Sequence, residues 1–312
     1  MKKIIILFVF FLSLYMPSAE VINPGGAGML GTVNYISGNL ALRTTVNSRG
    51  GASTSSIDGI DPYYSWGASA AGGNDGAGQN LGFGAHSWHV DNYNKTPTSP
   101  YFFKVNFGTL AGVPNSSRQE YAVSRIDLYG RTDGGSSCGV QFRGYLYLLN
   151  IDNTIVSTNQ NTGDSSVQAL ARFSYSGLGM VSRTIDYRPS GSFNELEVYG
   201  MSNLSLGTQD SINIEVGSAG NDYLYVQGTA VLNGQIQVSA LDSFTPVIGQ
   251  TFNIMTASSI NTSNLTMNAN YTYSVVSGGN GQILQVTYTI PEPSSIALFG
   301  LFLVAWAMFR KR

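Results

Sequence analysis

Tyr101-Phe102-Phe103-Lys104-Val105-Asn106-Phe107, Arg125-Ile126-Asp127-Leu128-Tyr129 and Tyr145-Leu146-Tyr147-Leu148-Leu149-Asn150-Ile151 decide the fold class. The first stretch is aromatic and β-branched, and the second alternates Ile126 and Leu128 against Asp127. The third is an apolar run of the kind that fills a sandwich core. A further strand reads at Leu196-Glu197-Val198-Tyr199-Gly200. Long Gly/Ser/Asn-rich segments separate these runs, and no long amphipathic helix interrupts them. The pattern predicts an all-β chain with a β-sandwich of roughly eight strands over residues 34–200.

The character of the sequence changes near Gly200. Ile212, Ile214 and Val216 alternate with Ser211, Asn213 and Glu215; Leu224 and Val226 follow, and Ile236 and Val238 alternate with Gln235 and Gln237. Half-buried strands therefore recur about every ten to twelve residues, with Gly228 and Gly234 expected as turns. The order from Asp222 through Gly228 to Gly234, followed by Phe244 to Ile254, resembles the β-rung stalk segments of bacterial surface proteins. That resemblance implies a solenoid-like spacer over residues 201–290 with no chemistry of its own; a small sandwich is the competing fold. Two modules suit the roughly 270 residues between the two end segments.

Both ends read as addresses. Met1-Lys2-Lys3 is basic, Ile4 to Leu14 is apolar, and Pro17-Ser18-Ala19 precedes Glu20, which is the layout of a signal peptide over residues 1–19. At the other end Pro291-Glu292-Pro293 leads into an uncharged stretch over 294–309 and then Arg310-Lys311-Arg312. The prolines fix φ and hold the residues before them out of the α region, so a stiff spacer precedes the helix. At 1.5 Å per residue that transmembrane helix covers only roughly 24 Å of a hydrocarbon core near 30 Å, a gap closed by thinning or snorkelling. The basic end stays cytoplasmic by the positive-inside rule, which sends the rest of the chain across the membrane. In this order the three features resemble the PEP-CTERM sorting signal of Gram-negative bacteria (residues 291–312), which implies export and handling by an exosortase-type membrane protease. A buried terminal helix and a lipid-anchor signal are the alternatives, though the latter's hydrophobic tail normally lacks the basic end.

Composition narrows the function classes. Five of the 16 Lys+Arg lie in the end segments, so the exported body is acidic against 18 Asp+Glu in the whole chain. Phosphate binding needs a basic surface, so nucleic acid is not an expected partner. Charged residues are 11% of the chain, against about 25% in an ordinary soluble domain. With Cys138 as its one cysteine the chain forms no internal disulfide, so stability comes from packing or a bound ion.

Within the first module five short pieces occur in a recognisable order: Asn39-Leu40-Ala41-Leu42, Ser56-Ile57-Asp58-Gly59, Tyr101 to Gly108, Ile126 to Asp133, and Asn194 to Gly200. Together they resemble a discoidin-type domain (fucolectin-like, coagulation-factor C-type), which implies a galactose-binding-like jelly roll that commonly takes carbohydrate at loops on one end. The resemblance implies one structural Ca²⁺ held by Asp58 and Glu195, with Asp61 as an addition, and hard carboxylate and carbonyl oxygens suit that ion. The alternative is an Asx-turn at Asp58 and a solvated Glu195. It also implies a sugar site of His86, Arg131, Asp133 and Arg143, in which guanidinium forks donate to hydroxyls and the aspartate orients them. Here the chain departs from the family: Gly134 to Cys138 lengthens the spacing between Asp133 and Arg143, the neighbouring cysteine pair is missing, and the segment from His86 to Pro100 is enlarged. Arg-x-Asp is also a common structural pair on strands. His86 and His89 lack a third ligand for zinc.

With two histidines, one cysteine and no Gly-x-Ser-x-Gly turn, the usual nucleophile–base arrangements lack their parts. A carboxylate pair of the glycosidase kind is a spatial matter that sequence leaves open. The expectation is a non-enzymatic exported surface protein, membrane-tethered before processing, that binds exopolysaccharide or another glycan. A biofilm-matrix component without a ligand is the second reading, and a glycan-active enzyme the third.

Overall fold

The structure, a computed structural model, describes residues 20–26, 28–41, 45–49, 55–56, 88–90, 102–115, 117–129, 143–161, 172–193 and 195–289. Among the described residues every regular element is a strand. The chain opens with β1 (Val21–Ile22) and β2 (Thr32–Tyr35). There follow β3 (Thr45–Arg49), β4 (Ser55–Ser56), β5 (Trp88–Val90), β6 (Phe102–Asn106), β7 (Gln119–Tyr129), β8 (Arg143–Leu149), β9 (Ile155–Asn161), β10 (Arg172–Ser182), β11 (Thr184–Phe193) and β12 (Glu195–Gly200). One sheet runs β4-β3-β6-β11-β8-β9 with β5 on the far part of β11. It faces β10-β7-β12 across a core of Val105, Phe107, Leu146, Leu148, Ile185, Tyr187, Ile126, Leu128, Leu196 and Val198. The expected strands appear as β6, β7, β8 and β12, except that Ile151 falls in the turn after β8.

Strand β7 starts six residues earlier than its alternation predicts, and the reason is a bulge. Tyr199 stands opposite Arg125 but Gly200 opposite Val123, so Ser124 is an extra residue, and its hydroxyl donates to the Tyr199 carbonyl at 2.9 Å. The inward set therefore changes parity, from Tyr121 and Val123 to Ile126 and Leu128. A pattern read at strict period two loses the first half.

The second unit comprises β13 (Leu204–Leu206), β14 (Ser211–Gly217), β15 (Gly220–Asn221), β16 (Tyr223–Leu232), β17 (Gln235–Ala240), β18 (Thr251–Asn261), β19 (Thr266–Met267), β20 (Tyr271–Gly278) and β21 (Gly281–Tyr288). Strands β1, β14, β17 and β19 pair in parallel, as do β2, β16 and β18. Equivalent side chains consequently stack in ladders: Ile22 on Ile212 on Ile236 on Met267, and Val33 on Leu224 on Met255. The antiparallel hairpin β20–β21 closes the stack on β18. Ile236 is fully buried within its ladder, so Ile236→Val should cost about 1 kcal/mol in urea unfolding, the usual result of removing one methyl that neighbours cannot replace.

Gly228, expected as a turn, lies inside β16. The register slips there between Val226 and Thr229, and a Cβ at Gly228 would sit 2.1 Å from Asn203 Oδ1, which accepts from Thr229 N at 2.8 Å. The glycine admits a crossing side chain rather than reversing the chain. Gly234 does occupy the turn between β16 and β17.

The two units share one sheet. Strand β2 pairs with the start of β7 on one edge and with β16 on the other, so the nine-stranded sheet runs β10-β7-β2-β16-β18-β21-β20 without a break, with β12 added on β7 and β13 on β16. Tyr121 and Val123 face the sandwich core, while Ala122 between them packs into the core of the second unit beside Val33 and Tyr35. A buried polar seam runs along this joint. Asn34 Nδ2 donates to Gln119 Oε1 (3.3 Å) and to the Glu120 carbonyl (3.1 Å), and Glu120 accepts from Ile151 N (2.8 Å).

Candidate functional site

One end of the sandwich gathers the strand ends that flank the expected sugar site. Strand β7 ends at Tyr129, which stands opposite both Arg172, the first residue of β10, and Glu195, the first of β12. Strand β8 begins at Arg143, opposite Ser190, and its next residue Gly144 stands opposite Asn161, the last of β9. Strand β5 pairs with the last three residues of β11, Trp88 opposite Phe193. Strand ends of both sheets are therefore gathered here, at the kind of edge where a rigid scaffold presents binding residues.

Of the expected residues, Arg143 and Glu195 open strands at this end, one in each sheet. Asp58, Asp61, His86, Arg131 and Asp133 lie outside the described residues, as do the signal peptide, Pro291-Glu292-Pro293, the segment 294–309 and Arg310-Lys311-Arg312. The donor set Asp58, Asp61 and Glu195 is hard oxygen throughout and fits Ca²⁺ in chemistry.

A second polar group on the sandwich was missed in the sequence. Arg125 and Asp127 project from the outward face of β7, where Arg125 Nε lies 3.1 Å from Asp127 Oδ2. On the neighbouring β12, Tyr199 stands opposite Arg125 and Glu197 opposite Asp127. The Arg125 guanidinium sits 4.1 Å from the Tyr199 ring centre, and the Tyr199 hydroxyl donates to Glu197 Oε2 at 2.7 Å. Burial first, and then that hydrogen bond to Glu197, hold the Tyr199 phenol above its ordinary range. Asp127 is fully buried although it faces away from the sandwich core. The signal was present as two i, i+2 pairs, Arg-x-Asp and Glu-x-Tyr, which a strand places on one face. This Arg-x-Asp is a structural ion pair. Arg125→Ala should destabilise the fold by roughly 1–3 kcal/mol, since it strips a cation from a buried carboxylate and from an aromatic face. Arg125→Lys should recover part of that loss in the same thermal unfolding assay.

No protein-family pattern matches the chain, and no curated protein sequence matches it. Among solved structures, the lectin domain of lectinolysin complexed with Lewis b antigen is similar at 16% identity and a TM-score of 0.35, covering 52% of this chain and 96% of that one. A fucolectin from striped bass (Morone saxatilis) serum is similar at 15% identity and a TM-score of 0.33, covering 54% of this chain and 50% of that one. A carbohydrate-binding module from Clostridium perfringens, in complex with GalNAc-β-1,3-galactose, is similar at 14% identity and a TM-score of 0.33, covering 52% of this chain and 100% of that one.

Proposed function

We propose that this chain is an exported, non-enzymatic surface protein that holds a glycan-binding sandwich away from the membrane on a β-rung stalk. Its signal peptide directs export, and its PEP-CTERM-like tail tethers it to the membrane until an exosortase-type protease processes it at the cell surface. His86, Arg131, Asp133 and Arg143 donate to and orient the hydroxyls of an exopolysaccharide, and Asp58, Asp61 and Glu195 hold one Ca²⁺ that ties the loop end together. The ion supplies rigidity rather than chemistry.

The order of strands carries this reading. The sandwich strand β7 and the last strand β21 are separated by β2, β16 and β18, a step of roughly 19 Å at about 4.8 Å per strand. Beyond β21 the chain continues to Pro291, so a tether through the tail leaves from the side of the sheet remote from the sandwich. Replacing Pro291-Glu292-Pro293 by alanines should leave a full-length, membrane-bound species in the producing bacterium; unchanged processing would remove the sorting claim. For the ion, EGTA should lower the melting temperature by several degrees, as expected for about 3 kcal/mol of linkage at a hundredfold excess over Kd. Glu195→Gln should abolish that difference, and an EGTA-insensitive melt would remove the ion.

The ligand-free matrix reading is favoured by a separate observation. Strand β20 is an outer edge of the nine-stranded sheet, and its residues Tyr271 to Gly278 include no charge and no proline. Such an edge lacks the usual protection against pairing with another chain. Light scattering of the protein from micromolar to millimolar concentration separates the readings, because a matrix component assembles without added glycan.

A further inference from the structure

We infer a second ligand site, for a neutral oligosaccharide or polysaccharide, in the cleft where the sandwich meets the parallel stack. The cleft measures about 640 Å³ and draws Asn115 from the sandwich side, and Asn221, Tyr223, Thr251, Asn253 and Gln285 from the stack. Among the described residues no charged side chain lines it. The site is independent of the loop end of the sandwich.

Three amides recur here at a fixed interval. Asn221 Nδ2 donates to the Asn253 carbonyl at 2.8 Å, and Gln285 Nε2 donates to Asn253 Oδ1 at 2.8 Å, successive members standing 32 positions apart in the chain. Asn253 and Gln285 stand directly opposite each other on β18 and β21. These bonds orient the amides and leave Asn253 Nδ2 and Gln285 Oε1 without a protein partner among the described residues. A donor and an acceptor held side by side match vicinal hydroxyls. Tyr223 adds an aromatic ring whose hydroxyl is already engaged by Thr256 Oγ1, which leaves the ring as a contact surface.

The wall opposite is equally fixed. Asn115 Nδ2 donates to the carbonyls of Gly31 and Asn221, both at 3.0 Å, and Thr32 Oγ1 donates to the Pro114 carbonyl at 2.5 Å. The buried Gln119 side chain bonds both N–H and C=O of Leu110 at 2.7 and 3.0 Å, which pins the segment that carries Asn115. A preformed cleft spends little of its binding energy on ordering its walls.

The same geometry discriminates among ligands. At the cleft β18 pairs with β21 alone, because its register with β16 begins at Met255, and the Asn253 carbonyl on its other side is already taken by Asn221 Nδ2, so an extended peptide would find that acceptor blocked. Recognition falls to side-chain amides. With no cation in the lining among the described residues, an anionic glycan gains nothing there over a neutral one, and would bury a charge without a partner.

Binding of the full chain, solubilised in detergent, to dextran, galactan and xylan, with alginate as the anionic control, tests the site by biolayer interferometry. The measurement is made in an Arg131→Ala background, which disables the proposed sandwich site. At least one neutral polysaccharide should still bind, alginate should not, and adding Asn253→Ala with Gln285→Ala should weaken binding at least tenfold. Thr251→Trp, at an exposed position on the rim, should do the same by filling the cleft, and it keeps the test valid should the double variant unfold. The inference is overturned if the Arg131→Ala protein binds none of the three neutral polymers, or if binding survives Thr251→Trp unchanged. Wild-type binding that is indifferent to Arg131→Ala would instead remove the sandwich site.

Discussion

Asp222→Ala should lower the unfolding free energy by about 3 kcal/mol, since it leaves one buried and one part-buried backbone N–H without acceptors. Asp222 is 1% exposed, and its two carboxylate oxygens accept from Gly31 N and Glu215 N, both at 2.8 Å. It thereby ties the residue before β2 to β14. Gly31 has no slack with which to compensate, because a Cβ there would fall 2.1 Å from Gly25 Cα. Burial raises the Asp222 carboxyl to about 7, opposed by the two backbone donors and reinforced by the charge of Glu215. In the unfolded chain the same group titrates near 3.8. Between those values the folded protein holds the extra proton, so this group's contribution to stability is full at low pH and is lost as pH rises from about 4 to about 7. Asp222→Asn keeps one acceptor and removes the titration. Urea unfolding at pH 5 and pH 8 should show the wild type losing more stability over that interval than Asp222→Asn. Equal losses would mean that the carboxyl is not raised.

Gln119→Leu should cost on the order of 2–4 kcal/mol despite the near-equal volume, because it strips partners from buried polar groups rather than emptying space. Gln119 is fully buried; its Oε1 accepts from Leu110 N at 2.7 Å and from Asn34 Nδ2 and Tyr121 Oη at 3.3 Å, while its Nε2 donates to the Leu110 carbonyl. The residue joins the sandwich, β2 and the segment over 108–115. Hydrogen exchange should show the Leu110 amide losing protection selectively while the amides of β17 and β18 keep theirs. Uniform loss would mean that the two units unfold as one cooperative block, and full retention that the seam is not what couples them.

Local pattern carried much of the fold. Phe103 and Val105, Leu146 and Leu148, and Ile212, Ile214 and Val216 announce their strands because each alternation or apolar run stays within one uninterrupted element. It failed where a bulge changed parity at Ser124, and where Gly228 admitted Asn203 instead of reversing the chain. Long-range parallel pairing was also beyond its reach. Val21 and Ile22 find their partners at Ser211 and Ile212, and Thr32 to Tyr35 at Tyr223 to Val226, so the opening strands belong to the core of the second unit. No neighbouring residue encodes such a partner. Nothing local in the sequence distinguishes a buried, satisfied amide such as Asn34 or Gln119 from a solvated one. At the sandwich end, Arg143 and Glu195 fall on strand ends of facing sheets, while the other expected ligands lie outside the described residues. The cleft amides were legible in principle, as Asn221, Asn253 and Gln285 repeat at a constant interval, but their meaning needed the stacked register to bring them together.

The direct test of the account is a glycan array probed with the secreted body, residues 20–290, with Ca²⁺ and with EGTA, beside Arg131→Ala. The account predicts retention of a defined set of glycans in Ca²⁺, weakened by EGTA and reduced at least tenfold by Arg131→Ala for those held at the sandwich end. Absence of binding to every glycan in both conditions, by protein with an intact cooperative melt, would contradict it and leave the ligand-free matrix reading in its place.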